Sequence, residues 1–294
     1  MRRLAVAFAA ILLVSAPLAE GGAALDETRI TLRQEVLRLI NSDREKHGLA
    51  PVALDPEASV VADAYCREQI ANGTTGHFTT DGLAPYMRYS FAGGNDGVSE
   101  NTAAWSANYS FTDRAVYGLV RRSEETMVAE KPPHDGHRRT ILDPYATHVG
   151  IGLAWDKGEF RMTQEFIRRY VTWSRTLPRV ASAADPVSAS GMVVRGYRVQ
   201  AVSVHHEPAP EQMPALVANA IESYSLPEKR HDYVPGARSY VHQQHNGSFN
   251  FAVPLRDGPG VYTVVVWVAK SGGRNPIAAS NVSIRVNETY SGTR

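Results

Sequence analysis

Four side chains suited to binding a divalent cation lie between positions 77 and 137. They are His77 in Gly76-His77-Phe78, Glu100 in Ser99-Glu100-Asn101, Glu130 at the end of a helical stretch, and His137 in Asp135-Gly136-His137-Arg138-Arg139. Two imidazoles and two carboxylates form a natural ligand set if the fold brings them together. The same groups can instead pair as carboxylate–imidazolium bridges that fasten helix ends to a sheet. A third chemistry is hydrolysis, with a metal lowering the pKa of a bound water to about 7 and Glu100 or Glu130 as general base. No His-Glu-x-x-His helix and no Gly-x-Ser-x-Gly elbow supports that third reading, and Ser99 beside Glu100 is as well explained by strand pairing. His134, three residues before His137, reads as a loop residue.

Several elements must position these groups. Leu32, Val36, Leu39 and Ile40 fall at helical spacing, with Gly48 as a stop. Asp55 can cap a second helix that has Pro56 at its first position. Its apolar face is Ala58, Val61, Ala62, Tyr65 and Cys66, so Cys66 reads as a buried small hydrophobe rather than a nucleophile. A third helix is expected from about Thr112 to Lys131, where Pro132-Pro133 stops it. Val116, Val120, Ser123 and Met127 share its inward face, and Glu130, three residues on, is expected there too. A carboxylate on such a face is costly unless paired or metal-bound. Glu124 and Glu125 are expected on solvated faces. In residues 148–155 the bulky Val149, Ile151, Leu153 and Trp155 alternate with Gly150, Gly152 and Ala154, which suits a strand packed closely on its bare side. Asp156-Lys157-Gly158 then turns into a partner strand over 160–167.

From about Thr176 period two replaces helical periodicity. Tyr197, Val199 and Ala201 alternate with polar residues before the parity shifts to Val202 and Val204, a bulge signal. Phe249, Phe251, Val253 and Leu255, then 261–267 and 282–286, continue the series, and residues 176–294 are expected to form an all-β, immunoglobulin-like sandwich. A short helix is expected at 214–222. The neighbours His205 and His206 must point to opposite faces, and His242 and His245 sit in a polar turn, so none of these is given a role.

The chain opens with Met1-Arg2-Arg3, an uncharged run from Leu4 to Val14 and small residues to Ala24, the pattern of a secretory signal over 1–24. This implies a secreted, extracellular or periplasmic protein. No later stretch is apolar and long enough to span a membrane. One cysteine excludes an internal disulfide framework. With 31 basic against 30 acidic residues, interspersed, there is no footprint for nucleic acid. Sequons stand at Asn72, Asn108, Asn246, Asn281 and Asn287.

The run His137-Arg138-Arg139-Thr140-Ile141-Leu142-Asp143-Pro144, followed by His148-Val149-Gly150-Ile151-Gly152, resembles the C-terminal signature of bacterial CAP domains. That superfamily comprises cysteine-rich secretory proteins, antigen 5 and pathogenesis-related 1 proteins. Asn41 to Arg44 with the run Gly48 to Asp55, then Gly76-His77-Phe78 and Glu100-Asn101, match its other signatures in order across about residues 30–170. The resemblance implies an extracellular α-β-α sandwich over 25–175, making the whole chain α+β. It also implies a cleft lined by His77, Glu100, Glu130 and His137, taking a divalent metal such as zinc. Met127 stands where many relatives carry tryptophan, and Pro132-Pro133-His134-Asp135 lengthens the approach to His137. The implied role is an extracellular binding module for an unidentified ligand, lipid or cell-surface component.

Overall fold

The computed structural model describes residues 19–287; residues 1–18 of the expected secretory signal lie outside them. The first part runs α1 (Ala19–Lys46), β1 (Ala53–Leu54), α2 (Pro56–Asn72), α3 (Pro85–Phe91), β2 (Gly97–Ser106), α4 (Asp113–Ala129), α5 (Gly136–Ile141), β3 (His148–Asp156) and β4 (Glu159–Arg168). Its four strands form one sheet in the order β1-β3-β4-β2, so β2 is an edge strand. Helices cover both faces. Leu32, Val36 and Ile40 of α1 pack with Val116, Val120 and Met127 of α4 on Val149, Ile151, Leu153, Phe160, Met162 and Phe166. On the opposite face α2 lies against the bare side of β3. A Cβ on Gly150 would fall 2.5 Å from the Ala58 backbone, and one on Gly152 2.1 Å from that of Ala62. The bulky–bare alternation thus lets a helix backbone touch a sheet backbone.

The caps follow the sequence. Asp55 accepts the Ala58 N–H at 2.8 Å ahead of Pro56, and Gly73 ends α2 at φ 69°. Arg44 is fully buried, and its guanidinium donates to the carbonyls of Ala50, Ile141, Asp143 and Ala146. The Asn41 amide exchanges two hydrogen bonds with the Val52 backbone. Arg44 thereby ties the end of α1 to the chain that follows His137, and Asn41 ties it to the approach to β1.

The second part contains β5 (Val171–Arg175), β6 (Val180–Ala181), β7 (Val187–Val193), β8 (Tyr197–Glu207), α6 (Ala215–Asn219), β9 (Arg230–Tyr233), β10 (Val241–Gln243), β11 (Ser248–Val253), β12 (Gly260–Lys270) and β13 (Ile277–Val286). They form two sheets, β10-β11-β7-β5 and β6-β13-β12-β8-β9. Val187, Ala189, Phe249, Phe251 and Val253 of the first share a core with Val202, Val204, Tyr262, Val264, Val266 and Ile284 of the second. The sheets begin at Val171, ahead of position 176, because β5 pairs with β7. The parity shift in β8 is a bulge: Ala201 faces Trp267 and Val199 faces Val268, leaving Gln200 out of register. Helix α6 is shorter than expected, and the connector from Glu207 to Arg230 that carries it runs back over the first part.

Candidate functional site

His77 and His137 line one cleft of about 1090 Å³, with ring centroids 6.5 Å apart. Glu100 and Glu130 line it too. Each glutamate engages one imidazole: Glu100 Oε1 is 2.8 Å from His77 Nδ1, and Glu130 Oε1 is 2.5 Å from His137 Nδ1. The carboxylates therefore orient the rings, a common arrangement around metal-binding histidines. Among the described residues no group of three or more His, Cys, Asp or Glu side chains converges on a metal position. The structure brings the four residues singled out in the sequence to one cleft, where they meet as two carboxylate–imidazole pairs.

Glu130 also corrects the helix expectation. α4 stops at Ala129, and Glu130 is its C-cap with φ −54° and ψ 151°, off the helical stripe. Leaving the helix turns its carboxylate towards the start of α5, where Oε2 accepts the N–H of His137 at 2.9 Å and of Arg138 at 3.3 Å. Residues 131–134, which take in most of the lengthening over 132–135, form a small turn with the Lys131 carbonyl accepting the His134 N–H, and His134 is an exposed loop residue on the cleft wall.

Glu100 lies in a more enclosed setting. Its Oε2 accepts from Arg88 Nη2, and Arg88 Nη1 donates to the His77 carbonyl at 2.6 Å. The guanidinium carbon stands 3.5 Å over the Tyr65 ring. Burial pushes the Glu100 carboxyl up, but Arg88 and His77 outweigh it and hold it below the usual carboxylate range. Glu165 faces Glu100 across the β2–β4 ladder, fully buried and 4.0 Å from Arg88 Nη2. Burial, then the Glu100 charge, pushes the Glu165 carboxyl well above its ordinary value, so it is neutral. One guanidinium and one ionised carboxylate thus balance beneath His77.

A second buried carboxyl overturns an expectation. Glu124, expected to be solvated, is 1% exposed, and burial pushes it up to about 8. Gln164 Nε2 donates to it at 2.6 Å; Asn101 Nδ2 in turn donates to Gln164 Oε1 at 3.2 Å and to the His137 carbonyl at 3.1 Å. This chain anchors His137 to the sheet from behind. Glu124 lies four residues after Val120, so its spacing did place it beside the inward stripe. Arg88, Gln164 and Glu165 carried no comparable local signal.

Cys66 is fully buried beside Thr163, and burial pushes its thiol up to about 12, which makes it inert. His205 and His206 bond to separate backbone carbonyls, of Pro227 and Pro259, and His242 and His245 are exposed. The remaining cleft lining includes Ser99, Asn101, Arg138, Arg139 and Arg168, with Glu222, Ser223 and Tyr224 arriving from the β8–β9 connector.

Residues 37–166 match the family model described as "CAP: Cysteine-rich secretory protein family". This region of the chain is a CAP domain. The chain is also similar to "Uncharacterized protein YkwD" of Bacillus subtilis (strain 168), at 29% identity over 135 residues, 46% of this chain and 46% of that protein. Among solved structures it is similar to the crystal structure of an extracellular protein containing a SCP domain from Bacillus anthracis str. Ames. That match has 23% identity and a TM-score of 0.38, and covers 53% of this chain and 45% of the other. The chain thus spans less than half the length of these relatives. All four cleft residues lie within the matched CAP domain, whereas Tyr224 lies outside it.

Proposed function

We propose that the CAP domain is an exported binding module whose cleft takes one divalent cation on the Nε2 atoms of His77 and His137. The observation that carries this reading is the pairing of each Nδ1 with a carboxylate, Glu100 or Glu130. An Nδ1–H donated to a carboxylate fixes the tautomer that presents a neutral Nε2 lone pair. Both rings line one cleft, close enough for one ion to reach both once the rings turn towards each other. Two imidazoles suit zinc and its neighbours in the first transition row, and the remaining positions would fall to water or to an oxygen ligand. A bound cation would supply Lewis acidity there, while Glu100 and Glu130 hold the rings.

A second reading has the tetrad as a metal-free polar cluster. It is favoured by the Arg88–Glu100 contact, which already commits the second oxygen of Glu100. Metal content separates the two. The mature chain, purified without chelator or affinity nickel and incubated with zinc, should hold close to one equivalent per chain. A His77→Ala/His137→Ala variant should hold none. A zinc-free wild type would leave the structural cluster as the account of these residues.

A further inference from the structure

The free edge of β2 is covered by side chains from the second part of the chain. β2 pairs only with β4, so every other N–H along it points away from the sheet. At Val98 the amide of Asn281, on β13, fills the gap: Oδ1 accepts the Val98 N–H at 3.1 Å, and Nδ2 donates to the Val98 carbonyl at 3.3 Å. Two residues on, at Glu100, the Tyr224 hydroxyl oxygen accepts the backbone N–H at 2.5 Å. The Tyr224 ring meets the His77 ring edge-on, with centroids 4.9 Å apart. One side chain therefore touches both members of the His77–Glu100 pair.

The segment that delivers Tyr224 is fastened to the loop that carries His77. Asn219 Oδ1 accepts the Thr75 N–H at 2.8 Å, and its Nδ2 donates to the Gly73 carbonyl at 3.1 Å. The Met213 N–H donates to the Thr80 carbonyl at 2.7 Å. A Cβ on Gly76 would stand 3.4 Å from the carbonyl oxygens of Ala218 and Ile221, so the two backbones run in contact beside His77.

We infer that Tyr224 is a positioning residue of the cleft, supplied by the β-rich second part, which holds Glu100 and His77 in the orientation that presents His77 Nε2. Its oxygen is used as an acceptor by Glu100, which leaves its proton to donate to an oxygen-bearing ligand in the cleft. The inference rests on the two-histidine reading for its functional meaning, but the positioning itself can be tested without metal. On this account the functional unit is larger than the CAP domain, and the second part is a structural component of the site.

Tyr224→Phe in the full chain is the test, since it keeps the ring and removes the oxygen. In the metal-free protein, the Glu100 amide should exchange with solvent about tenfold faster, the loss of one hydrogen bond. The His77 ring nitrogens should shift in 15N spectra while those of His137 stay in place. Added Zn2+ should bind about tenfold more weakly, as for other groups that orient a ligand. If the wild type takes up no Zn2+ but the exchange and His77 results appear, the cation reading fails and the positioning role stands. Unchanged Glu100 exchange and an unchanged His77 ring would overturn the inference. So would equal shifts in both histidines, which would report general loosening.

Discussion

The two halves of the cleft make the same contact in opposite settings. In the His77–Glu100 pair the side chains are 10% and 0% exposed, and Glu100 stands on a strand, with Arg88 beneath the pair and Tyr224 against it. In the His137–Glu130 pair they are 33% and 21% exposed, and the contact is made between a helix end and a short helix start. The first half is fixed by a buried ion pair, where rearrangement would strand a charge. The second rests on backbone N–H groups and water-accessible charges, which tolerate movement. Any closing of the rings on a ligand is therefore expected from the His137 side.

The largest way to break this contrast is Arg88→Met. It leaves Glu100 as a buried carboxylate without its guanidinium partner, and chemical denaturation should show a loss of about 3–5 kcal/mol. Next come the two glutamates. Glu100→Gln removes the charged partner of a buried guanidinium and should cost about 2–3 kcal/mol in the same measurement. Glu130→Gln breaks a half-exposed contact and should cost about 1 kcal/mol or less. Equal costs would mean that the two halves are not different in kind. Zinc affinity should fall in both variants, by about 10–100-fold.

Glu124, behind the His137 half, sharpens the comparison through pH. Its folded-state pKa of about 8 lies above its ordinary 4.5, so the native state keeps a proton that the unfolded chain releases. Stability should therefore fall as pH rises from about 4.5 to about 8. Glu124→Gln can still accept from Gln164 and cannot ionise. It should melt roughly a few degrees above wild type at pH 8 and close to it at pH 4.5. A variant less stable than wild type at pH 8 would contradict a neutral, buried Glu124.

What the sequence made legible was local. The bare side of residues 148–154, the Asp55-Pro56 cap and the inward stripe of α4 each rest on spacing within one element, and each appears as read. The four cleft residues were legible because each stands in a short motif. Which carboxylate meets which ring was not, because it depends on where α4 ends: two residues less of helix than expected turns Glu130 from the core stripe to the start of α5. Arg88, Glu165, Tyr224 and Asn281 act through contacts between distant segments, Tyr224 lying 124 positions from Glu100, and no periodicity encodes such contacts. Asn281 shows the hazard of reading motifs alone. It stands in a sequon, yet its amide is spent on Val98 and it is 7% exposed, so the folded chain offers no room for a glycan there.

The central claim is that the glutamates orient the histidines and that the cation meets Nε2. A Zn2+ titration of the full chain, followed by the ring 15N signals of His77 and His137, tests it most directly. The account predicts that both Nε2 signals shift to metal-bound positions at one equivalent while both Nδ1 atoms keep their protons. Shifts at Nδ1, or two rings indifferent to zinc, would contradict it.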